Sequence, residues 1–106
     1  MKLIMAIVNK DDSNAVSSAL TKNGFSVTKL ATTGGFLMSG NTTFLLGVDE
    51  SRIDEAMSII EKHSKKRSQM VPSTTYGTSS YSSFPMEVTV GGATVFVLNV
   101  ERYEKL

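Results

Sequence analysis

Every side chain from Leu3 to Val8 is apolar, so the run Lys2–Asn9 (KLIMAIVN) lacks the alternation of a half-exposed strand. A short run of this kind, bounded by Asn9-Lys10-Asp11-Asp12, reads as a strand buried on both faces. Asp11 or Asp12 is then placed to cap a helix, since a short carboxylate accepts from an otherwise unpaired helical N–H. Ala15, Val16, Ala19 and Leu20 recur at helical spacing, and Asn23-Gly24 supplies the left-handed stop. A second strand is expected from Phe25 to Leu30, a glycine- and threonine-rich loop over Ala31–Asn41, and a third strand over Thr42–Val48. Asp49 caps a second helix whose apolar face is Ile53, Ala56, Met57 and Ile60. Ser68–Phe84, rich in serine and threonine, reads as a long loop. Met86–Val90 and Ala93–Val100 flank Gly91-Gly92, a two-residue hairpin signal. The predicted order β-α-β-β-α-β-β is α+β and close to the ferredoxin-like split βαβ pattern.

Right-handed crossovers put both helices on one side of such a sheet. Yet Leu3, Met5 and Ile7 are as apolar as Ile4, Ala6 and Val8, and Phe96 and Leu98 alternate with Val95 and Val97. A sheet apolar on both faces needs cover on both, and the chain has helix enough for one. Burial against further copies, a homo-oligomer, is the expected remedy.

Composition narrows the chemistry. At 106 residues, 41% hydrophobic and 20% charged, the chain is expected to form one globular, cytosolic domain. A net charge of +1 gives no global attraction to nucleic acid or an anionic membrane, so an anionic ligand must be held by local geometry. With no cysteine, disulfides, thiolate metal sites and cysteine nucleophiles are excluded. No stretch has the length or apolarity of a signal peptide or membrane span.

Nothing argues for an enzyme. His63 stands alone at the basic end of a helix, and Asp11-Asp12 and Asp54-Glu55 are explained by helix starts. No spacing suits a metal or cofactor site. The run Lys62-His63-Ser64-Lys65-Lys66-Arg67 reads as a solvated helix end, not a nucleic-acid surface, because the central strands lack stacking aromatics apart from Phe44.

The informative segment is LATTGGFLMSGNTTFLLG. Gly34, Gly35 and Gly40 leave backbone N–H groups open to an anion, and Thr32, Thr33, Thr42 and Thr43 add hydroxyls. Asn41 can read a base edge or a phosphate, while Phe36 and Leu37 can sandwich a flat ring. By spacing alone, two readings stand level: a nucleotide cradle, or a mobile hairpin loop with Phe36 tucked into an oligomer interface.

KLATTGGFL, GNTTFLLGV and VGGATVFVL, in that order and together with the opening KLIMAIV, make the chain resemble the PII-like cyclic di-AMP receptor family over nearly its whole length. The resemblance implies a single PII-like domain over 1–106, ferredoxin-like (βαββαβ with a C-terminal hairpin), with a short loop 32–41 and a long mobile loop 68–85. It also implies a cytoplasmic homotrimer that binds one cyclic di-AMP in each cleft between neighbours. Loop changes would then signal to a protein partner that the sequence does not identify. By position, Thr28 would bond to the nucleotide, and Gly35, Phe36 and Leu37 would wrap one adenine. Asn41 would read that base or the nearby ribose-phosphate, and Gly47 and Gly92 would admit the ligand close to the backbone.

Ser26 stands where relatives often carry arginine, and Gly24 where they carry asparagine. A hydroxyl cannot match the charge-assisted fork of a guanidinium on phosphate, which lowers the expected affinity unless Lys29 or another cation compensates. The loop YGTSSYSSFP also departs from the family's glycine-rich form. Two rival readings are a sensor of another adenine nucleotide such as ATP and an adaptor trimer without ligand.

Overall fold

The computed structural model describes residues 1–30, 40–72 and 85–106, with side chains at 69–72 and 85–86 left aside. Among these residues the chain forms β1 (Lys2–Asn9), α1 (Lys10–Lys22), β2 (Thr28–Leu30), β3 (Asn41–Val48), α2 (Ile53–His63), β4 (Arg67–Pro72), β5 (Pro85–Val90) and β6 (Ala93–Asn99). The main sheet has the order β2-β3-β1-β6, every pair antiparallel, and β4-β5 is a separate two-stranded ribbon. Among the described residues no helix is long and apolar enough to cross a membrane.

The double-faced reading of β1 carries over into the packing. Ile4, Ala6 and Val8 pair with Leu46, Phe44 and Thr42, and these positions face the helices. With Val16 and Leu20 of α1 and Ala56 and Ile60 of α2 they form one buried core. Each large side chain buried there contributes about 1.5–3 kcal/mol. The opposite face carries Leu3, Met5 and Ile7, half-buried, beside Phe96 and Leu98, which are 52% and 43% exposed. Among the described residues no helix covers that face.

The helix starts differ in detail from the sequence reading. Asn9, not Asp11 or Asp12, caps α1, its side chain accepting from the Asp11 N–H at 2.9 Å. The two aspartates sit in the first turn, where the helix dipole favours them. Asp49 caps a 3-10 turn, Glu50–Arg52, that leads directly into α2. Arg52 ties the two helices together: it lies 4.1 Å over the Phe25 ring, donates to the Asn23 carbonyl at 2.8 Å and pairs with Glu55 at 3.1 Å. Phe25 is thereby in the core, and β2 begins only at Thr28, shorter than expected.

Two expectations fail. The C-terminal hairpin does not form, since β5 pairs with β4 and β6 pairs with β1. Gly91 and Gly92 do adopt positive φ, +86° and +81°, but as a corner between two sheets. A tight hairpin turn needs the same left-handed glycines, so the local signal is identical and only the strands' distant partners decide. In addition, Ser68–Pro72, expected within the long loop, is strand in β4.

Candidate functional site

The residues singled out from the sequence fall into two groups. Thr28 is exposed at the start of β2 and pairs with Leu45 of β3. Gly47, two residues along on β3, is exposed on the open face opposite Leu3, and a Cβ there would lie 3.6 Å from the Met1 sulfur. Continuing the β2–β3 register brings exposed Ser26 toward Gly47. Ser26, Thr28 and Gly47 therefore share the outer end of one sheet edge.

Asn41 and Gly92 form the second group. Both line a polar cleft of about 410 Å³ between the ends of β1 and β3 and the base of the β4–β5 ribbon. Strand pairing sets Asn41 directly opposite Asn9, which lines the same cleft. The volume is in the range of small-molecule sites. Gly35, Phe36 and Leu37 lie outside the described residues.

Asn41 and Gly47 are separated by six residues of extended β3, about 20 Å. The strand thus keeps Asn41 and Gly47 near its opposite ends.

Gly92 packs against the end of α2 and the Lys66 side chain. Its N–H donates to the Ser64 carbonyl and is not open to a ligand. The missing side chain matters instead, because a Cβ would stand 3.0 Å from Cγ of Lys66 and 3.3 Å from its Cε. Gly91 is tighter still: a Cβ would meet the Lys65 carbonyl oxygen at 2.5 Å and an Arg67 guanidinium nitrogen at 2.7 Å.

That guanidinium anchors the ribbon. Arg67 donates to the two carboxylate oxygens of Asp12 at 2.8 and 3.3 Å and to the Lys65 carbonyl at 3.1 Å. Asp12 is buried at the start of α1, so the fork joins β4 to the first helix. The pairing spans 55 residues of sequence, and neither residue carries a local signal for it.

A second cleft, about 620 Å³, runs between α2 and the edge of β6 and is lined by apolar Met57, Ile60 and Val95. Larger though it is, it includes Gly92 alone of the expected residues. The polar cleft, which joins Gly92 to Asn41, fits a polar ligand better. Lys66 borders both clefts.

Thr43 also bears on the site. Its hydroxyl is buried with no partner among the described residues, on the same sheet face as Ile7 of the polar cleft.

A solved structure of a functionally unknown protein from Pediococcus pentosaceus ATCC 25745 shares 44% identity, over 99% of this chain and 96% of that one, with a TM-score of 0.75. The fold class is a small α+β protein whose antiparallel sheet is backed by two helices. A model of the cyclic-di-AMP receptor family matches residues 1–106, and the chain belongs to that family.

Proposed function

We propose that this chain is a cytoplasmic signal-transduction protein, without catalytic activity, that binds cyclic di-AMP at the subunit interfaces of a homotrimer. The family match over the whole length carries the ligand assignment. Two features of the fold support a shared site. Gly47, with Ser26 beside it, stands about 20 Å along β3 from Asn41, and Thr28, opposite Leu45, about 13 Å, a span more readily closed by two subunits than within one. The open apolar face also supplies a surface for neighbouring copies.

In this reading Phe36, flanked by Gly35 and Leu37, stacks on one adenine, and Asn41 reads the base or the ribose-phosphate. Residues 32–40 and the stretch 73–84 between β4 and β5 respond to the ligand and present an altered surface to a protein partner. Such a switch works only as far as the ligand prefers one loop arrangement to the other.

Isothermal titration calorimetry with cyclic di-AMP, and ATP as competitor, tests the assignment. Saturable heat that ATP does not abolish is expected; no heat at high micromolar ligand would sink it. Phe36→Ala should weaken binding by about 1–3 kcal/mol, the range for one base stacked on an aromatic ring.

A further inference from the structure

Charge is scarce in the polar cleft. Asn9, Asn41, Thr89 and Thr94 line it with neutral groups, and Lys66 is its one charged lining residue among those described. Arg67, next in the chain, is already committed to Asp12 and the Lys65 carbonyl. Lys66 makes no ion pair among the described residues. Its stem lies across Gly92, where any side chain would press on Cγ and Cε, and the left-handed backbone of Gly92 further disfavours one. The glycine is therefore a seat for the lysine stem, which steers the ammonium at the margin of the cleft.

A ligand with two phosphodiester groups brings two negative charges into a protein of net charge +1. Ser26 offers only a hydroxyl. We propose that Lys66 is a phosphate anchor of the nucleotide site, supplying from the ribbon base the positive charge that position 26 lacks. The assignment rests on cyclic di-AMP being the ligand. A flexible ammonium suits this place, because it can follow a phosphate without the fixed geometry a guanidinium demands. It also gives Gly92 a defined part in binding: to hold the lysine stem.

The test is calorimetry with cyclic di-AMP on the wild-type protein, Lys66→Gln, Lys66→Arg and, as a charge control, Lys65→Gln. Lys65 borders the larger cleft and not the polar one. Lys66→Gln should weaken binding about tenfold or more, the effect of losing a hydrogen bond to a charged group. Lys66→Arg should stay within a few-fold of wild type, Lys65→Gln should match it, and added salt should weaken wild type more than Lys66→Gln. Wild-type binding with an unchanged Lys66→Gln constant overturns the anchor and leaves the ligand standing. Equal losses in Lys66→Gln and Lys65→Gln also overturn it, in favour of diffuse charge. Absence of wild-type binding overturns the ligand assignment, and the anchor with it.

Discussion

Asp49 accepts from the Ser51 hydroxyl and, at 3.0 Å, from the Ser51 N–H, and these two bonds, the hydroxyl first, hold its carboxyl below the ordinary carboxylate range. A carboxyl with a lowered folded-state pKa stabilises the fold above its unfolded value and loses that contribution as pH falls through the folded one. Asp49→Ala should therefore lower the urea midpoint at neutral pH. The gap from wild type should close as pH drops below the carboxylate range; a gap independent of pH would refute the cap's ionic character. The sequence marks Asp49 as a cap because aspartate has few other reasons to precede an amphipathic helix. For α1 it points to Asp11 or Asp12 and passes over Asn9, although all three residues are good caps. The choice is made by the ladder, which carries β1 as far as Asn9 opposite Asn41 and starts α1 at the next residue.

At the scale of elements, the two helices and the three strands of residues 2–48 were legible because each carries its own periodicity or apolar run. The ribbon was not. RSQMVP holds a serine, a glutamine and a proline, and its partner β5 lies across an intervening stretch of chain, so no local pattern announces the pair. The contact that fixes its base, Arg67 to Asp12, is equally non-local. Its two halves differ in exposure, 45% for the arginine side chain and 10% for the aspartate. Removing Arg67 strands a buried carboxylate, while removing Asp12 leaves a guanidinium that water can solvate. Arg67→Met should cost about 1–3 kcal/mol, toward the lower end because the arginine is half-exposed, and Asp12→Ala distinctly less. Urea denaturation of both variants and the double mutant measures the asymmetry. Equal single-mutant costs would exclude it.

For the whole molecule, the apolar open face was readable from β1 and β6 alone, because consecutive apolar residues in a strand must point both ways. The subunit count is not written in such a face, and neither is a site divided between chains. Phe96 lies outside the core, so Phe96→Asp should leave the monomer fold intact by circular dichroism. If the chain forms the proposed trimer, a shift to monomer is expected, read by size-exclusion chromatography with light scattering; an assembly that survives Phe96→Asp would place the interface elsewhere. The molecule measures 59 × 28 × 20 Å, and its radius of gyration of 17.1 Å exceeds the roughly 13 Å of a compact chain this long. The ribbon has its own ladder and shares none with the main sheet. A change in length at its far end consequently alters no pair in β2-β3-β1-β6 and no side chain of the core. Under the proposed function, recutting that end changes the surface offered to a partner and leaves the main sheet and its core as they are.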